Sequence, residues 1–192
     1  MAAKAVGRLL AQGYEIAGLV LISTGAPVRD LRAFEAAAPS IRRSFLAAHS
    51  ASAALRLGYR SAAHLFRSGR IGEDLIIDFF VRDSPADANA LADPNLRETL
   101  RSNLAYCFED ADQIVSDVAT WGQDWSATLA QVASAIPVTF IHGTENTVQD
   151  IASLRTLCAE TPRITLHEIG DQGQMALYQS PGRIAAWIAE IA

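Results

Sequence analysis

The sequence predicts an α/β fold: a parallel sheet of about three strands, interrupted by a long helical insertion. Three observations predict it. Residues 16–22 are apolar at every position rather than at alternate ones, as suits a parallel strand covered on both faces. Residues 28 to about 130 read as helices separated by glycine and proline. The last third then runs strand, helix, strand, helix, the order of a right-handed parallel crossover unit. With 192 residues, half of them apolar and 19% charged, the chain can bury one core, with or without an insertion.

The elements follow in order. Ala3, Val6, Leu9 and Leu10 stand at helical spacing in residues 2–12, and Gly13 closes that helix. The apolar strand comes next, broken by the turn residues Ser23-Thr-Gly-Ala-Pro27. Pro39-Ser40 opens a helical stretch with Ser40 as the expected cap. Asp93-Pro94 is another helix start, a capping carboxylate followed by proline in the first turn. Leu96, Leu100, Leu104 and Phe108 repeat every four residues and line one face. Ile114, Val118, Trp121 and Trp125 do the same, and both stripes read as core packing. Residues 136–141 form a strand with Pro137 near its start, where a missing N–H is tolerated, and His142-Gly143 end it. Residues 148–160 are helical and 163–168 are a second strand. Gly170-Asp-Gln-Gly173 is a loop, and Ser180-Pro181 caps a final helix carrying Ile184, Trp187, Ile188 and Ile191.

Composition excludes several classes of function. Sixteen basic and 21 acidic side chains give a net charge of −5, the wrong sign for a nucleic-acid partner. Arg56, Arg60, Arg67 and Arg70 are the nearest thing to a basic cluster, and their spacing reads as a solvated helix face. No apolar run approaches the roughly 20 residues that span a bilayer. The start, Met1-Ala-Ala-Lys-Ala-Val-Gly-Arg8, lacks a long apolar core, so the expected location is cytoplasmic with no membrane partner. Cys107 and Cys158 have no partner motif and read as small buried hydrophobes. No histidines, cysteines or acids stand at metal-ligand spacing, and no glycine-rich phosphate loop occurs, so no metal and no cofactor are expected.

The ordered pieces resemble the C-terminal half of the α/β-hydrolase fold. Gly18-Leu-Val-Leu-Ile-Ser-Thr-Gly-Ala-Pro27 is similar to the strand and loop that lead into that family's cap. Ile136-Pro-Val-Thr-Phe-Ile-His-Gly143 is similar to its next strand, and the helix after Ser180-Pro181 to its closing helix. The resemblance implies a partial α/β-hydrolase-like core at 1–27 and 131–192, with a helical cap insertion at 28–130. It also implies an ancestor that hydrolysed ester- or amide-type bonds in small molecules.

Three departures stand against an active enzyme. The family's catalytic aspartate follows the strand and glycine by three residues, and Gly143-Thr-Glu-Asn146 puts Asn146 there. Its histidine stands in a Gly-x-x-Gly-His pattern, and Gly170-Asp-Gln-Gly-Gln174 puts Gln174 there. No Gly-x-Ser-x-Gly nucleophile elbow occurs, and residues 1–12 resemble the helix that follows it. A serine nucleophile needs a base that titrates near neutral pH, oriented by a carboxylate. Gln174 is not basic and Asn146 carries no charge. The implied activity is therefore expected to be absent from this chain.

Other residues are weighed as replacements. Glu145, one place before Asn146, is a possible replacement acid or an ordinary exposed loop residue. His142 and His167 read as structural, His49 and His64 lie in the insertion without an acid pattern, and Ser23 and Ser126 read as turn or cap residues. Asn146 and Gln174 are either plain loop amides or a pair that hydrogen-bonds across two loops and suits a neutral polar ligand. Phe79, Phe80, Trp121 and Trp125 are candidates to line a small-molecule pocket under the helices, or else core. By the family's sheet order the strand near 17–22 pairs with a strand of an N-terminal half. The expected consequences are a fragment of a longer frame, a homodimer or other partner through that edge, or a first helix folded over it.

Overall fold

A computed structural model describes residues 2–28, 35, 37, 39–50, 52–107, 111–121 and 123–191. The chain divides into two compact units, one of residues 1–36 with 124–192 and the other of residues 37–123.

The first unit holds the sheet. Three strands, β1 (Leu19–Ile22), β2 (Val138–Gly143) and β3 (Ile164–Ile169), pair in parallel in the order β1-β2-β3. The central strand β2 is buried at all six positions, which its run Val-Thr-Phe-Ile-His-Gly allows because only Thr139 and His142 carry polar side chains. One face packs Leu19, Leu21, Val138, Phe140 and Ile164 against three helices. These are α1 (Ala2–Ala11), α8 (Ser126–Ala135) and α9 (Ile151–Glu160), with Ala3, Leu129, Val132, Ala133, Leu154 and Leu157 in the contact. The other face carries a smaller cluster of Ile141, Ile169, Ala176 and Ile184. Here α10 (Ala176–Gln179) and α11 (Pro181–Ala189) provide the cover, with Val20, Ile22 and Trp187 packed beside them. Fully burying one Leu or Ile is worth roughly 1.5–3 kcal/mol, so these clusters supply most of the unit's stability.

The second unit is helical: α2 (Pro39–Ser50), α3 (Ser52–Arg67), α4 (Glu73–Val81), α5 (Pro85–Ala90), α6 (Pro94–Cys107) and α7 (Ala111–Trp121). Helices α2, α3 and α7 pack on one another, and α4 packs on α5 and α6. Asp93 caps α6 as the Asp-Pro pair predicts, taking the Asn95 N–H at 2.8 Å. Arg97 and Arg101 on α6 tie Asp74 and Asp78 of α4 into an exposed ion-pair network.

Several elements differ from the sequence reading, each for a local reason. The first strand starts at Leu19 rather than residue 16, where pairing with β2 begins. Helix α2 already includes Pro39, so Ser40 stands inside it rather than capping it. Leu9 is exposed on the outer side of α1. Trp125 is not on α7, because the carboxylate of Asp124 takes the Ser126 N–H at 2.9 Å and starts α8. Residues 124–130, read as the end of the insertion, lie in the sheet unit because α8 packs on the sheet. Ser180 does precede a helix with Pro181 in its first turn, but its hydroxyl accepts from Gln172 Nε2 at 2.8 Å instead of capping. Phe108 and the side chains of Ser40, His49, Cys107 and Trp121 lie outside the described residues.

Candidate functional site

A parallel sheet sends all its strands out at one end, so the three loops after β1, β2 and β3 leave the same edge. Each brings a polar residue there. Ser23 follows β1, Asn146 follows β2, and Gln174 follows β3. All three meet.

Asn146 is the anchor, and it is buried. Its Oδ1 accepts the N–H groups of Val148 at 2.9 Å and Gln149 at 3.1 Å. Those two backbone donors fix which end of the amide is oxygen. Its Nδ2 therefore faces outward, and it donates to Gln174 Oε1 at 2.7 Å. Ser23 completes the cluster by donating its hydroxyl to the backbone carbonyl of Gln174 at 3.0 Å. Ser23 does this from a left-handed backbone, φ +51°, a conformation that is uncommon for a residue with a Cβ.

The polarity of this cluster is reversed relative to a relay. In a working triad a carboxylate accepts a hydrogen bond from the ring N–H of a histidine and orients it. Here Asn146 donates, and Gln174 accepts through an amide oxygen. No group of the three titrates near neutral pH as an acid or base.

The loops are held close by their backbones. Thr144 N–H donates to Ile169 O at 2.9 Å, Glu145 N–H to Gln172 O at 2.9 Å, and Asp171 N–H to the Thr144 hydroxyl at 3.1 Å. Gly143 sits under this crossing. A Cβ there would collide with the Gln172 carbonyl, so the close approach of the two loops requires glycine at 143. The carboxylate of Glu145 is exposed, accepts from the Thr144 hydroxyl at 3.5 Å, and takes no part in the Asn146–Gln174 bond.

The histidines do other things. His142 is fully buried, and its Nε2–H donates to Gln149 O at 3.0 Å. Its Nδ1 then presents a lone pair with no partner among the described residues. Burial pushes its pKa below the ordinary imidazole value. His167 stacks on Trp187, centroids 4.4 Å apart and 12° between planes. His64 is exposed on α3. Cys158 is a free thiol packed beside the sheet core, its pKa raised by burial.

Of the four aromatic candidates, the side chain of Trp121 lies outside the described residues, and Trp125 is not brought together with Phe79 and Phe80. Trp125 packs beside the sheet core in the first unit. Phe79 and Phe80 stand edge to face in the helical unit, centroids 6.0 Å apart, and line an apolar cavity of about 680 Å³ there. Arg56 and Arg60 of the arginine cluster both pair with Asp112. Sequence reasoning missed Ser23. Its only signal was the run of turn residues straight after the first strand. Among the described residues, no group of three His, Cys, Asp or Glu is placed to hold a metal ion, and no helix is long and apolar enough to cross a membrane.

No family model and no curated protein matches the chain. Solved structures do. A thermophilic esterase from Thermogutta terrifontis is similar at 15% identity and a TM-score of 0.59, covering 99% of this chain and 62% of its own. MenH from S. aureus is similar at 11% identity, TM-score 0.60, over 98% and 64%. MGS-M2, an α/β-hydrolase enzyme from a deep-sea metagenome library, is similar at 16% identity, TM-score 0.58, over 98% and 70%. The chain thus spans somewhat under two thirds of the length of the first two. At these identities the likeness speaks to the fold alone, and the fold of this chain is that of the α/β hydrolases.

Proposed function

We propose that this chain is an α/β-hydrolase-like domain without a proton relay, inactive toward acyl esters and amides. One observation carries the reading: the Asn146–Gln174 amide bond of 2.7 Å at the ends of β2 and β3. It occupies the places where the resemblance puts acid and base. In catalysis of this kind nucleophile, base and acid act as a unit, so losing the unit leaves only binding and any oxyanion donors. The purified chain should show no saturable turnover of short activated acyl esters above buffer. Saturable turnover that Glu145→Gln abolishes would overturn the reading and make Glu145 a replacement acid.

A second, non-catalytic reading is favoured by the apolar cavity of the helical unit: a ligand-binding or sensing module whose pocket uses Phe79 and Phe80. Apolar, preformed cavities of roughly 300–1,000 Å³ are the usual form of small-molecule sites. A ligand-induced rise in Tm that Phe80→Ala removes would support it. A third use, pairing through the outer edge of β1 with a second copy or an N-terminal half, is tested by light scattering. A clean monomer at micromolar concentration would count against self-pairing there.

A further inference from the structure

The apolar cavity of about 680 Å³ is lined entirely from the helical unit, by side chains of α2, α3, α4 and the link before α4. None of the lining residues is charged, and only Ser44 and Tyr59 carry polar side chains. The charges on the same helices are committed elsewhere. Arg56 and Arg60 of α3 pair with Asp112 of α7. Asp74 and Asp78 of α4 pair with Arg97 of α6, and Asp74 also with Arg101. Arg82 stacks on the Phe79 ring at 4.5 Å and has Asp83 beside it at 3.7 Å. Both signs of charge stand on these helices, and neither lines the cavity.

Two features of the lining bear on its occupant. Leu75, Phe79 and Phe80 are 62%, 50% and 49% exposed, so an apolar molecule seated among them would take a large area out of water. An ionised group there would lose hydration with no lining counter-charge to replace it. The second feature is Tyr59. It is half-buried, and burial raises its pKa, so the phenol stays protonated at neutral pH. Ser44 already has a partner, whereas among the described residues the Tyr59 hydroxyl has none. A phenol O–H in apolar surroundings without a partner is a donor that a ligand oxygen can satisfy.

Resting on the ligand-binding reading above and naming its ligand class, we propose that the cavity takes an uncharged, largely apolar small molecule that sets one acceptor oxygen at the Tyr59 hydroxyl. The uncharged lining selects against either sign of head group. The volume lies within the roughly 300–1,000 Å³ of small-molecule sites. Tyr59 supplies the single polar contact that fixes the ligand's direction.

The test uses the full chain and four probes built on one skeleton: pentylbenzene, valerophenone, 5-phenylpentanoate and 5-phenylpentylammonium, followed by calorimetry and by Tm. Valerophenone, the uncharged ketone, should bind saturably and raise Tm. Both charged probes should bind at least about fourfold more weakly, the loss for one methylene kept in water beside the head. Tyr59→Phe should weaken valerophenone roughly threefold to tenfold and leave pentylbenzene unchanged. Gly58→Leu should weaken every probe while holding or raising the Tm of the free protein. Gly58 lines the cavity in the interior of α3, and a Cβ there would meet nothing within 4 Å. Either charged probe binding as tightly as valerophenone would overturn the proposal and leave the ligand-binding reading standing. So would equal binding of valerophenone and pentylbenzene, unaltered by Tyr59→Phe. No binding of any probe would overturn both.

Discussion

At the scale of single residues, Asn146 does more than Gln174. Asn146 makes three side-chain hydrogen bonds, two of them from backbone N–H groups of the part-buried loop that follows it. Among the described residues the Gln174 side chain makes the shared bond alone, and Ser23 bonds the Gln174 backbone. Asn146→Ala should therefore cost about 1–3 kcal/mol and Gln174→Ala about 1 kcal/mol or less, read by urea denaturation. Replacing both amides with the family's residues tests the geometry. In Asn146→Asp with Gln174→His, the carboxylate should hold the imidazole pKa above the ordinary value of about 6.5, seen by NMR titration. His142 supplies a pH dependence of its own. Its pKa is lowered in the fold by burial, so the unfolded chain binds the proton more readily. Stability should then be full above the unfolded value of 6.5 and fall as pH drops below it. His142→Gln should flatten the Tm profile between pH 7 and 5.

At the scale of elements, the two loops at the end of the sheet depend on the crossing at Gly143. Gly143→Ala should cost about 1–3 kcal/mol and separate the loops, because the obstacle is the Gln172 backbone rather than a flexible side chain. The Arg155–Glu168 pair is a contrast. It joins α9 to β3 in a bidentate contact at 2.8 and 2.6 Å and lowers the Glu168 pKa, yet both side chains are substantially exposed. Its contribution is lost as pH falls below the ordinary glutamate value, and Arg155→Met should cost less than about 1 kcal/mol at neutral pH. Much of the element level was readable from sequence. A continuous apolar run marked β1, and shorter, partly polar runs at 136–141 and 163–168 marked β2 and β3. Proline and aspartate marked the start of α6. What was not readable depends on tertiary partners. Nothing in residues 16–18 says that pairing starts at Leu19, and nothing in the spacing of Trp121 and Trp125 says that Asp124 turns the chain between them.

At the scale of the molecule, the chain has a three-stranded parallel sheet and the fold of the α/β hydrolases. That Asn146 and Gln174 stand in loops after two strands could be read in advance, from the apolar runs and glycines that precede them. Their direct bond was one of two readings that the sequence left open, and only the fold decides between them. Ser23 stayed hidden for a similar reason: a hydroxyl in a turn has many local uses, and only the fold brings it to Gln174. The helical unit was the least readable part. Its stripes announce packing, whereas the apolar cavity that Phe79 and Phe80 line is a property of several helices together. The central claim is that Asn146 and Gln174 supply neither a base nor the carboxylate that orients one. The pH–rate profile of acyl-ester hydrolysis by the purified chain, from pH 5 to 9, tests it most directly. A rate indistinguishable from buffer at every pH is the predicted result. A saturable, bell-shaped profile would contradict the account.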